Sequence, residues 1–139
     1  MKICIVIANY YPKISNDLLM GAIKMLNKNG LNSYKKISAP GVFEIPFLIS
    51  KNINSYDAFI ALGCVIKGKT PHFDFISQSS IDGIMKLSIN HKKPIGNGII
   101  TCLNKKQALE RSNPKKKNKG EEACKAVLSV LGILKNEFK

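Results

Sequence analysis

The stretch YDAFIALGCVI, from Tyr56 to Ile66, is apolar at almost every position after Asp57. A strand with one wet face alternates apolar and polar residues, whereas a strand covered on both faces is apolar on both parities. The run therefore predicts a strand buried on two sides, the kind found inside a parallel sheet. The residues that follow it, KGKTPHFD from Lys67 to Asp74, form a turn that leads into a segment of helical period. Strand, turn and helix in that order are the first half of a β-α-β unit.

The same alternation extends in both directions. Lys2–Ala8 (KICIVIA) predicts a strand, and residues 15–30 predict a helix with Ser15 or Asn16 as N-cap, an apolar stripe at Leu18, Leu19, Ala22, Ile23 and Leu26, and Gly30 as its stop. Residues 31–38 form a weaker strand. After the turn Ala39-Pro40-Gly41, a short helix runs from Phe43 to Ile53 with Pro46 in its first turn, where a missing N–H costs little. Residues 72–89 predict a helix, 93–102 a glycine-interrupted strand, 104–112 a short helix and 120–138 a closing helix with an acidic first turn. The closing helix carries its apolar stripe at Ala123, Val127, Val130, Leu131 and Leu134. Buried strands separated by helices imply an α/β fold, a three-layer α/β/α sandwich. At 139 residues and 45% hydrophobic content, the chain is expected to form one domain over 1–139.

Charge and cysteine usage narrow the class. Lys and Arg number 22 against 9 Asp and Glu, a formal +13, which suits a polyanion or a small phosphorylated substrate. The lysines are spread along the chain, with one cluster at Lys115, Lys116, Lys117 and Lys119. Charge runs normally face water. Cys4, Cys64, Cys102 and Cys124 show neither CxxC nor zinc-ligand spacing and are expected to be reduced and packed as small hydrophobes, with Cys64 placed to line a pocket. No apolar run approaches a membrane span, and Ile3–Ala8 is too short for a signal-peptide core, so a cytoplasmic protein is expected.

In open parallel sheets ligands sit outside the carboxyl ends of the strands. Three loops reach that edge: Asn9-Tyr10-Tyr11, Pro40-Gly41-Val42-Phe43-Glu44 and Gly63–Asp74. The third holds His72, one of two histidines, and histidine both gives and takes a proton near neutrality. It also holds Lys69 and Thr70 before a helix start, where free N–H groups and the dipole suit a phosphate. Residues 63–70 (GCVIKGKT) meet the GxxxxGK[ST] spacing, but Gly63 to Ile66 belong to the apolar strand run, which leaves no glycine-rich loop to cradle phosphates, so it is not read as a Walker A loop. Taken alone, Tyr10 fits a core or rim aromatic as well as a stacking platform, and Glu44 fits a helix first-turn charge as well as a ligand. Asp74 either charges the helix start or orients His72. His91 fits a surface histidine at a helix C-terminus.

These motifs carry a resemblance. NYY followed by LLMGA, then APGVFEIP, YDAFIALGCVIKGKTPHFDFI, PIGNGIIT, QALERS and NKGEEA run nearly end to end in the order of the lumazine synthases. The resemblance implies a flavodoxin-like fold with a four-stranded parallel sheet, assembled as pentamers or multiples of them with active sites between subunits. It implies condensation of 5-amino-6-(D-ribitylamino)uracil with 3,4-dihydroxy-2-butanone 4-phosphate to 6,7-dimethyl-8-ribityllumazine, phosphate and water, in riboflavin biosynthesis, with no cofactor and no metal. Association with riboflavin synthase is a further implied partnership. By position, Tyr10 stacks on the pyrimidine, Val42, Phe43 and Glu44 hold the ribityl chain, and Cys64, Val65 and Ile66 meet the pyrimidine edge. Lys69 and Thr70 receive phosphate with Arg111 from the neighbouring subunit, Lys119 adds to that field, and His72 transfers protons.

The chain departs from the pattern at Asn97, where many members carry an aromatic residue, so a substrate contact there is polar or made by backbone. Lys67, Lys69 and Pro71 also differ from common choices, and NPKKK (residues 113–117) replaces a glycine-rich approach to NKG. Two other classes fit parts of the sequence. A nucleic-acid-binding protein is favoured by +13 but opposed by the lack of a recognition motif and of tryptophan. An inert shell protein would need a broken site, yet His72, Arg111 and Glu44 are present.

Overall fold

The computed structural model describes residues 1–136. Its centre is a four-stranded, all-parallel sheet in the order β2-β1-β3-β4. β3 (Ala58–Ile66) is the strand made by the YDAFIALGCVI run, and it pairs with β1 (Ile3–Ala8) on one side and β4 (Ile95–Cys102) on the other. β2 (Lys35–Ala39) is the outer neighbour of β1. Asp57 sets the register at the base of the sheet: its carboxylate accepts from Lys2 N–H at 2.7 Å and its own N–H donates to Lys2 O at 2.8 Å.

The two parities of β1 and β3 feed two separate cores, which is why neither strand alternates with polar residues. Ile3, Ile5, Ile7, Ala58, Ile60 and Leu62 pack under α1 (Pro12–Lys28), α4 (Lys105–Ser112) and α5 (Lys119–Asn136). Cys4, Val6, Phe59, Ala61 and Ile99 pack under α2 (Ile45–Lys51) and α3 (His72–His91). Helices on both faces make the three-layer sandwich that the sequence implies, with the flavodoxin-like arrangement of strands.

Several boundaries differ from expectation. α1 begins at Pro12, not after Ser15, because proline at N1 has no orphan N–H to satisfy. Ser15 is instead buried in the first turns, and its hydroxyl donates to Ala8 O at 2.8 Å, pinning the helix to the end of β1. β2 starts at Lys35 rather than near residue 31, since Leu31 and Tyr34 turn in against the α1 and α5 core. The segment after Gly41 opens as a short 3-10 turn (Val42–Glu44), and α2 begins at Ile45 with Pro46 in its first turn. α3 runs to His91 and ends where Lys92 takes a left-handed φ of 54°. In α5, Ala123 and Val127 are buried but Val130 and Leu134 stand exposed, so the stripe continues onto open surface. The last two positions of the expected closing helix, Glu137 and Phe138, lie outside the described residues.

Two devices protect the sheet edges. Lys35 and Lys36 stand exposed on β2, and charged side chains on an edge strand discourage pairing with another chain. On β4, Asn97 Oδ1 accepts from the Ile99 N–H of its own strand at 3.1 Å. Among the described residues, no helix is long and apolar enough to cross a membrane.

Candidate active site

A cleft of about 490 Å³ opens at the carboxyl edge of the sheet, lined by the loops that leave β1, β2 and β3. Tyr10 and Tyr11 come from the first loop, their rings 4.9 Å apart and nearly perpendicular at 78°. Tyr10 is 71% exposed, so its ring face is available rather than packed away. Val42, Phe43 and Glu44 come from the second loop, which bends over the sheet because Gly63 has no side chain. A Cβ at Gly63 would lie 2.8 Å from Val42 Cγ2, too close for any other residue. Cys64, Val65 and Ile66 form the floor from the end of β3, and His72 closes the far wall.

The α3 start is built from a tight turn. Thr70 Oγ1 accepts from His72 N–H at 3.4 Å, and Pro71 takes the residue before the first helical position with φ −70°. The Asp74 and Phe75 N–H groups donate to Pro71 O at 3.1 and 3.2 Å, closing the first turn of α3. Lys67, Lys69 and Thr70 are exposed there, next to His72 in the chain but outside the cleft lining. Asp74 sits in the first turn of α3.

Three expected contacts lie away from the cleft of their own chain. Arg111 stands near the end of α4, its Nη1 donating to Thr101 O at 3.1 Å and lying 3.8 Å from Cys102 Sγ, at the carboxyl end of β4. Lys119 opens α5 and pairs with Glu122 at 2.8 Å. Asn97 is midway along β4, opposite Ala61, and lines a separate cavity of about 180 Å³ between α3 and α5. Four lining residues were not among the expected contacts: Tyr11, Pro40, Gly41 and Ile76. Ile76 was legible as the i+4 neighbour of His72 on one helix face, and the other three adjoin expected residues. Among the described residues, no cluster of His, Cys, Asp and Glu could hold a metal ion.

The floor of the cleft is apolar and its thiol is quiet. All four cysteines are free and buried. Burial pushes the Cys64 thiol up to about 12, and neighbouring Cys102 adds to the rise. Burial also pushes Cys124 to about 12, with Glu121 adding, and Cys4 to about 11 against the opposing pull of Lys35. Cys102 is raised by burial despite the lowering effect of Arg111. At pH 8 a thiol of pKa 12 is thiolate in about one molecule in 10⁴, against roughly a quarter for an ordinary cysteine. Ellman's reagent is therefore expected to find almost no thiol in the native protein over minutes and all four after guanidinium unfolding. A native thiol titrating at the unfolded rate would contradict this burial. Cys64 thus offers the cleft its backbone and its apolar surface, not a nucleophile.

Comparison with known proteins gives the family. The sequence model of the 6,7-dimethyl-8-ribityllumazine synthase family matches residues 1–135. A 6,7-dimethyl-8-ribityllumazine synthase from Bartonella bacilliformis is 42% identical over 136 residues, covering 94% of this chain and 88% of the relative. One from Bartonella tribocorum is 43% identical, covering 96% of this chain and 89% of its own length. One from Zymomonas mobilis is 39% identical, covering 96% of both chains. The match spans all three cleft loops as well as α4 and α5. The chain therefore belongs to the 6,7-dimethyl-8-ribityllumazine synthase family and is, like its members, an enzyme of the transferase class.

Proposed function

We propose that this enzyme condenses 5-amino-6-(D-ribitylamino)uracil with 3,4-dihydroxy-2-butanone 4-phosphate, giving 6,7-dimethyl-8-ribityllumazine, phosphate and water in riboflavin biosynthesis. The observation that carries the reading is the cleft itself. An exposed tyrosine, a carboxylate, an apolar floor with strand-end backbone and a histidine face one space in a chain of this family. Tyr10 stacks on the pyrimidine, whose edge meets Cys64, Val65 and Ile66, while Val42, Phe43 and Glu44 hold the ribityl chain. The helix start with Lys69 and Thr70 takes the phosphate.

The substrate amine is the nucleophile, so the protein orients two molecules and moves protons. The amine adds to the ketone carbonyl and water leaves as the imine forms. Phosphate then departs by elimination, the enol so formed becomes a ketone, and the ribityl-bearing nitrogen adds to that carbonyl and closes the second ring with loss of a second water. His72 carries protons in these steps. Cationic and N–H donors held on the phosphate lower the cost of its departing charge, which gives Arg111 and the Lys69-Thr70 turn a part in elimination as well as binding. The +13 surface favours capture of this anionic substrate.

Arg111, Lys119 and Asn97 reach the site from a neighbouring copy in a homopentamer or a multiple of it. Their position off the cleft of their own chain supports this division. So does the apolar surface around the cleft, where Phe43, Phe47 and Phe75 are 59%, 68% and 67% exposed. Aromatic patches of that kind mark association surfaces. Riboflavin synthase, which would consume the product, is the partner that this reading implies, and the cytoplasm its location. Incubation of the purified protein with both substrates in chelator-treated buffer should give product fluorescence. Absence of product from an assembled, folded sample would overturn the proposal.

A further inference from the structure

Asn118 is a buried polar residue to which the reading above gives no part. It is 1% exposed, and its side chain makes three hydrogen bonds. Nδ2 donates to Asp17 O at 2.8 Å and to Ser112 O at 2.7 Å, while Oδ1 accepts from Glu121 N–H at 2.9 Å. One amide thus ties the second turn of α1, the last residue of α4 and the first turn of α5. The fit is close, since a Cβ at Gly21 would lie 2.1 Å from Asn118 Oδ1. A serine could not span three partners, and an aspartate would set a carboxylate against two carbonyl oxygens.

The bonded positions adjoin the cations in the chain. Arg111 precedes Ser112, and Lys119 follows Asn118. α1, the third partner, begins directly after the cleft tyrosines and is locked to β1 through Ser15 and Ala8. α1 therefore has the chain's own cleft at its start and the roots of both cations docked near Asp17 and Gly21. We propose that Asn118 is a positioning residue: its three hydrogen bonds hold Arg111 and Lys119 at a fixed offset from the chain's own cleft, so that each copy presents them in register to the cleft of the next. This inference rests on the divided site proposed above. Fixing a charged group by buried hydrogen bonds from behind is how supporting residues keep binding groups in reach of their ligand.

Subunit mixing of His72→Ala with Arg111→Ala tests the divided site by itself, Arg111→Ala kinetics test the role of that cation toward the ketone, and Asn118→Ala then tests the positioning. Asn118→Ala is expected to raise the KM of the phosphorylated ketone and lower its kcat/KM by about tenfold to a hundredfold, with the pyrimidine KM changed less than about twofold. In an Arg111→Ala background the same substitution should cost less than about twofold, because two residues acting through one contact do not add. Leu26→Ala, in the α1 core away from Asn118, serves as a control that lowers Tm without the KM split. If Asn118→Ala does not assemble, Gly21→Ala, which crowds Oδ1 while keeping the amide, is read the same way. Equal changes in both KM values, no change beyond Tm, or full additivity with Arg111→Ala would overturn the inference, whereas failure of the mixed His72→Ala and Arg111→Ala proteins to gain activity would strike the divided site instead.

Discussion

His72→Ala is expected to lower kcat by about 10²-fold, with smaller changes in either KM. General acid-base help contributes about 10² to 10⁴ in typical enzymes. The lower figure applies because the amine nucleophile is already competent and orientation supplies much of the rate. His72 stands on the wall of the cleft at the first residue of α3, where it reaches bound substrate without closing the core. Its loss should therefore leave folding almost untouched. Steady-state rates with each substrate varied in turn check this, and an unchanged kcat would remove His72 from the mechanism.

Arg111→Ala is expected to act on the other substrate. Loss of a charge-assisted contact to phosphate in a partly enclosed site costs about 1.5 to 3 kcal/mol, or on the order of ten- to a hundredfold in kcat/KM for the phosphorylated ketone. Its guanidinium is anchored by Thr101 O through Nη1, which leaves its other donors free to face an anion. The pyrimidine KM should change little, since the cleft that holds that ring is built from other elements. Varying each substrate in turn separates the two effects. A substitution that weakened the pyrimidine alone would place Arg111 elsewhere.

Much of this architecture is legible in local sequence. Ala58–Ile66 is apolar on both parities because Phe59 and Ala61 serve one core while Ile60 and Leu62 serve the other. Cover on both faces, together with a helical segment between successive strands, is the pattern of a parallel sheet. The cleft residues were legible for a related reason: they sit in short runs just beyond strand ends, where chain order and spatial order coincide. α1 starts earlier than the Ser15 or Asn16 cap implies. Ser15 looks like a cap, but its hydroxyl is spent on Ala8 O, and Pro12 opens the helix.

Long-range relations were not legible. Asn118 bonds Asp17 across 101 residues, and nothing in the local pattern NPKKKNKG marks it as buried. Lysines on either side make it look like one more solvated residue. Likewise, no spacing within one chain tells that Arg111 and Asn97 lie off the cleft formed by residues 10–76. Their place follows from which strand ends are adjacent, and the Arg111 guanidinium, carried by α4, lies at the end of β4, beyond the three loops that converge.

The central claim is that one working site needs His72 from one copy and Arg111 from the next. Mixing the His72→Ala protein with the Arg111→Ala protein tests it directly, once subunit exchange has been verified by native mass measurement. Each variant alone has every site damaged. In mixed rings, an interface that pairs the intact His72 of one copy with the intact Arg111 of its neighbour is whole, so the mixture is expected to gain activity well above the sum of its parts. Exchange without any gain would show that both residues act from the same chain and would contradict the account.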